Sequence, residues 1–141
     1  MIKSNGDVYT GYWKHGDFNG SGTYTFATGS SYSGPWLNGK QHGNGKEVWP
    51  DGSSYKGGYL YGFINGYGRF EWHDSSFYEG NFVNGKMEGQ GTYKWKDGRK
   101  YTGLWLDNMM HGEGVFTWDD GRRYMGGFAK DLKEGFGVFN W

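Results

Sequence analysis

His15, His42, His73 and His111 are the residues most able to do chemistry in this chain, as metal ligands or as general bases. A zinc centre needs three or four ligands, each about 2 Å from the ion. His42 and His111 hold the same place in a 23-residue period, three periods apart. With two strands per period, that is six strand spacings, or roughly 29 Å. His15 and His73 fall in turns of different kinds. Serines pair up at Ser30-Ser31, Ser53-Ser54 and Ser75-Ser76, but no base stands consistently beside them. Asp119-Asp120 is the one adjacent acidic pair, and neighbouring residues of a strand or turn point apart. The Gly-X-Gly pairs are not phosphate loops, because no helix follows whose N-terminus could hold an anion. These residues predict a non-catalytic chain with no cofactor and no metal site.

What organises them is a repeat. Tyr9, Tyr32, Tyr55, Tyr78, Tyr101 and Tyr124 are spaced by 23 residues without an insertion. Gly20, Gly43, Gly66, Gly89, Gly112 and Gly135 each open a Gly-X-Gly in the same phase. Phe26, Trp49, Trp72, Trp95, Trp118 and Trp141 close each copy. A fixed period of this size marks a repeat array, here one running over residues 1–141.

Composition narrows the rest. The 15 basic and 15 acidic residues cancel, which disfavours a nucleic-acid partner. The chain has no cysteine, so no disulfide framework forms, and a cytoplasmic setting is expected. The 29 glycines alone would suit disorder, but eight Trp, twelve Tyr and ten Phe in phase argue for a packed fold.

Within each period, two short stretches alternate. Tyr9, Gly11 and Trp13 share one face of a first strand, and Gly20, Gly22, Tyr24 and Phe26 share one face of a second. The other face is mostly polar, with exceptions at Leu104, Val48, Val115 and Phe136. The links KHGDFN and ATGSS are too short for a crossover helix, and Asn-Gly and Asp-Gly pairs supply hairpin turns. The expected fold is all-β: a single-layer, elongated antiparallel meander of about six hairpins, roughly 55 Å long. Rings lying across bare glycines would form its packing unit.

YxGxW followed by GxGxxxW and DG, in six phased copies from Asn5 to Trp141, resembles the MORN repeat family (membrane occupation and recognition nexus). The resemblance implies β-hairpin repeats in an elongated single sheet that serves as an interaction module. Peptide binding in an aromatic groove, self-association and phospholipid contact are what it implies about partners. Association with the cytoskeleton or the inner face of a membrane follows as an expectation.

The residues then suggest where binding occurs. Trp13, Trp36, Tyr59, Phe82, Trp105 and Phe128 hold one repeat position and are expected to line a groove for an extended partner segment. Glu47 stands where other copies carry an aromatic, so it would place a carboxylate in that groove as a hook for a basic group or amide. Arg99-Lys100 and Arg122-Arg123 hold equivalent positions and would form a basic strip for anionic lipid or an acidic partner. Phe136 and Val138 put apolar side chains on the face that is polar elsewhere, at an open edge. A homodimer through that C-terminal edge is expected.

Overall fold

The computed structural model describes residues 2–140, apart from the side chains of Glu134, Phe136 and Asn140. The strands are β1 Val8–Lys14, β2 Asp17–Thr25, β3 Ser31–Leu37, β4 Lys40–Gln41, β5 Gly43–Val48, β6 Ser54–Leu60 and β7 Phe63–Glu71. They continue with β8 Phe77–Val83, β9 Lys86–Lys94, β10 Lys100–Leu106, β11 Met109–Thr117, β12 Arg123–Ala129 and β13 Leu132–Asn140. All belong to one antiparallel sheet whose order follows the sequence, β4 being a short extra pairing on β3. Among the described residues there is no helix. The single-layer meander expected from the sequence is the fold observed.

The hairpins are tighter than the sequence suggested. The link KHGDFN was expected to run as a loop to Gly20. Instead Lys14 pairs with Asp17, and only His15 and Gly16 turn, at φ 51° and 83°. Two successive positive φ angles define the type I′ turn, whose twist matches that of a hairpin. Asp107 and Asn108 (φ 55° and 67°) and Lys130 and Asp131 (φ 49° and 68°) make the same turn without glycine. Asn108 and Asp131 also accept the backbone N–H of Met87 and Met110, at 2.8 and 2.7 Å. That side-chain bond offsets the strain of a left-handed residue.

The first glycine of each Gly-X-Gly has a separate task. Gly66 sits at φ 91°, and the register shifts nearby between Gly57 and Tyr59. It is the bulge that lets β7 reach the turn two residues early. The second glycine, Gly68, faces its partner Gly57, whose own built Cβ would run into the Gly68 Cα. A Cβ built on Gly68 would lie 2.2 Å from Tyr55 Oη. The ring of Tyr55 therefore lies on bare backbone, as the sequence predicted. Its hydroxyl donates to the carbonyl of Gly58 at 3.0 Å. The same i to i+3 bond recurs for Tyr9, Tyr32, Tyr78, Tyr101 and Tyr124, at 2.8–3.2 Å. Phenylalanine could not make it, which explains why all six copies use tyrosine.

Packing completes the layer without a second sheet. Tyr59 sits edge-on between Tyr32 and Tyr55, at 5.0 and 5.4 Å. Phe82, Trp105 and Phe128 repeat this arrangement between successive tyrosines. Edge-to-face rings at these distances gain about 0.5–1.5 kcal/mol per pair beyond area burial. The aromatic face is thus a core in its own right.

Candidate functional site

The six rings expected to line a groove divide sharply. Trp36, Tyr59, Phe82, Trp105 and Phe128 are only 3–8 % exposed, whereas Trp13 is 45 % exposed. The five buried rings form a floor, and truncating Phe82 and Trp105 together would test the core before it tested binding. Phe18, 8 % exposed, belongs to that floor as well and stacks on Tyr9 at 3.7 Å. Sequence reasoning left it in a loop, because the equivalent positions hold Gln41, Ile64, Met87, Met110 and Lys133 and show no single chemistry.

Accessible ring surface is also kept by the closing aromatics of the first five copies. Phe26, Trp49, Trp72, Trp95 and Trp118 are half-buried and pack against the floor. Clefts open beside three of them, Phe26, Trp95 and Trp118. One of about 290 Å³ lies among Lys3, Tyr24, Phe26, Trp36 and Gln41. A second, of about 470 Å³, lies among Asp74, Tyr93, Trp95, Asp97 and Arg99. A third, of about 360 Å³, lies among Trp95, Phe116, Trp118, Phe128 and Lys133. Ammonium groups sit over rings at both ends of this face. Lys3 lies 5.3 Å from the ring centroid of Tyr24, and Lys133 lies 5.4 Å from that of Phe139.

Glu47 is on the aromatic face, as expected, but it already has partners. Its Oε1 accepts the hydroxyl of Tyr59 at 2.7 Å, and the Gln41 side chain also bonds it. The tyrosine stands where other copies carry Trp or Phe, so this carboxylate meets a matching hydroxyl, as the buried Asp7 does at Tyr24, 2.6 Å away. Burial raises the pKa of Glu47 above the ordinary carboxylate value, against the opposing pull of those two bonds. The folded chain therefore holds this proton more tightly than the unfolded chain. Its contribution is fully present below the unfolded pKa and is lost as pH rises through the raised folded value. Glu47→Gln keeps an acceptor for Tyr59 and removes the charge. Urea titrations should show the variant more stable than the parent at pH 7, with the gap closing near pH 4. An equal gap at both values would dismiss the burial argument.

The basic strip is partly engaged. Arg99 Nε lies 2.8 Å from Asp97 Oδ2, and Arg122 Nε lies 2.8 Å from Asp120 Oδ2. The two guanidinium groups also lie 5.4 Å from the rings of Trp95 and Trp118. Lys100 and Arg123 are exposed. Lys100 pairs directly with Lys94, a cation that sequence reasoning did not include. At the C-terminal edge, Val138 is 54 % exposed, and the side chain of Phe136 lies outside the described residues.

The histidine signal has a local explanation at His42, whose Nδ1 accepts the Tyr61 N–H at 3.3 Å. Among the described residues, no three His, Asp or Glu side chains converge as metal ligands.

The sequence model of the MORN repeat matches residues 9–31, 32–54, 55–77, 78–98, 101–122 and 124–141. A search of curated proteins returned no match. Among solved structures, the chain is similar to the TCP domain of Drosophila melanogaster SAS-4 (dCPAP), in complex with a proline-rich motif of Ana2 (dSTIL). The TM-score is 0.59 at 10% sequence identity, over 99% of this chain and 75% of that one. At that identity the likeness is one of fold.

Proposed function

The chain belongs to the MORN repeat family, and from that premise we propose that it is an interaction module which takes an extended partner segment along its aromatic face. The observation that carries this reading is the row of half-buried rings, Phe26, Trp49, Trp72, Trp95 and Trp118, with clefts opening beside its members. Trp36 and Phe128 contribute to the walls of two of those clefts, and Trp13 adds an accessible ring at the first copy. The rings offer large apolar contact at low entropic cost, as interface anchors do. A solved structure of similar fold holds a proline-rich peptide. Aromatic-lined grooves suit such segments, which are extended before they bind.

The test separates binding from folding. Trp72→Ala with Trp95→Ala removes two accessible rings from the middle of the row. Partner affinity should fall at least tenfold, while circular dichroism keeps its strand signal. Unchanged capture by a folded double variant would move the partner off this face.

A second reading, contact with an anionic membrane surface, is favoured by the row in which Lys94, Lys100, Thr117 and Arg123 pair in succession. Basic residues near such a surface contribute about 1 kcal/mol each. Sedimentation with phosphatidylserine vesicles, with and without Lys100→Glu and Arg123→Glu, tests it. Vesicle binding that ignores the pair would sink it.

A further inference from the structure

The face opposite the rings carries a second surface, and strand register is what makes it visible. One row of directly paired residues crosses the whole sheet there. It begins with hydroxyls, Thr10 against Thr23 against Ser33. It continues with three cations, as Ser33 pairs with Lys46, Lys46 with Lys56, and Lys56 with Arg69. Glu79 follows, and then a second hydroxyl pair, Thr92 and Thr102. The row ends in three apolar residues, Val115, Met125 and Val138. The aromatic face repeats one chemistry six times, whereas this row changes in blocks.

Like charges placed directly opposite on neighbouring strands repel. Arg69 is partly neutralised by Glu79, with Nη1 and Oε2 3.0 Å apart. Lys46 and Lys56 are exposed, and among the described residues neither has an ion-pair partner. They border a groove of about 470 Å³ with Ser33, Asn44, Tyr67 and Arg69. Its floor is the bare backbone of Gly45, Gly57 and Gly68. A second groove of about 710 Å³ lies over Gly103, Gly114, Gly126 and Gly137, walled by Val115, Met125 and Val138. Met125 is 46 % exposed and Val138 54 %. Gln90, Thr102 and Glu113 supply its polar rim.

We infer that this row docks an extended peptide segment of a partner protein, carrying an acidic pair at one end and a cluster of apolar side chains at the other. The acidic pair lies between Lys46, Lys56 and Arg69, and relieves their mutual repulsion. The apolar cluster covers Val115, Met125 and Val138. Lys56 and Met125 are six strand steps apart on the row, or ~29 Å at about 4.8 Å per strand. An extended chain rises about 3.3 Å per residue, so the two blocks of the ligand stand roughly nine residues apart. The two grooves share one face and one line of glycines, which lets a backbone run close to the sheet. This surface is independent of the rings, so either face can bind without the other.

A phage-displayed library of random 16-residue peptides, selected on the intact chain, provides the probe. The enriched sequences should hold two Asp or Glu about nine residues from two or three Leu, Ile, Val or Phe. A synthetic peptide of that pattern, followed by fluorescence anisotropy, should bind at least tenfold more weakly to the K46E/K56E variant. Exchanging its acidic pair for Lys should restore binding to that variant. Met125→Ser with Val138→Ser should weaken the parent peptide, while Trp72→Ala with Trp95→Ala should leave it unchanged. Absence of an enriched pattern, a pattern without the acidic pair, or binding indifferent to K46E/K56E overturns the proposal. So does binding lost only in the tryptophan variant, which would put the peptide on the aromatic face. Sedimentation with phosphatidylserine vesicles that needs Lys46 and Lys56 would assign the cations to a membrane and overturn it as well.

Discussion

Gly68→Val should destabilise the chain by about 3 kcal/mol, among the largest losses available to one substitution on the sheet. The new Cβ would fall 2.2 Å from Tyr55 Oη and 2.6 Å from its Cζ. Tyr55 is fully buried and held by its bond to Gly58, so the ring has nowhere to retreat. Either it leaves the core, at the ~3–5 kcal/mol typical of deleting a buried aromatic, or the strands part at Gly57. Valine's better strand propensity returns no more than about 1 kcal/mol. Gly66→Ala is the matched control. Nothing lies within 4 Å of its Cβ position, but its φ is 91°. Only backbone strain of about 1–2 kcal/mol applies there. Urea midpoints for both variants decide the matter. If Gly68→Val costs no more than Gly66→Ala, then Tyr55 is not confined by the glycine beneath it.

Trp105→Ala and Trp13→Ala alter the same repeat position and should differ by several kilocalories. Trp105 is 5 % exposed, and its indole N–H donates to the Gly91 carbonyl at 3.1 Å. It stands edge-on to Tyr78 and Tyr101, at 5.5 and 5.1 Å. Its removal leaves a cavity and breaks the bond to Gly91, and should cost ~3–5 kcal/mol. Trp13 stands edge-on to Tyr9 and Phe18 and is 45 % exposed. Truncating it should cost no more than about 1.5 kcal/mol. Chemical denaturation of the two variants gives the comparison. Equal losses would mean that depth in the array, rather than ring burial, sets the value of each aromatic.

These contrasts mark what could be read from the chain alone. The period, the alternation and the role of tyrosine over glycine were legible because each depends on spacing within one copy. The start of the second strand was not. Phe18, Gln41, Ile64, Met87, Met110 and Lys133 share a place in the sheet but no chemistry, so no repeat signal marked them. The two glycines of Gly-X-Gly look alike in sequence and differ in structure, since Gly66 bends the strand and Gly68 seats a ring. The burial of Trp36, Tyr59, Phe82, Trp105 and Phe128 was missed because a single layer seemed unable to cover its own rings. Edge-on packing between successive tyrosines covers them. The blocks of the opposite face needed register, which decides that Lys46, Lys56 and Arg69 are neighbours although they stand 10 and 13 residues apart.

Because the sheet order follows the chain order, every strand is laid down beside one already made or still to come. Ring contacts such as Tyr55 with Phe82 reach one copy ahead. Closing such a sheet needs only short loops, so folding should be fast for an all-β protein and able to begin at any hairpin. Opening should run inward from both edges, with amide protons exchanging soonest near β1 and β13 and latest around β7. A peptide laid across the strands would bind several hairpins at once. Its arrival would register as slowed exchange over every strand it crosses, well beyond the residues it touches.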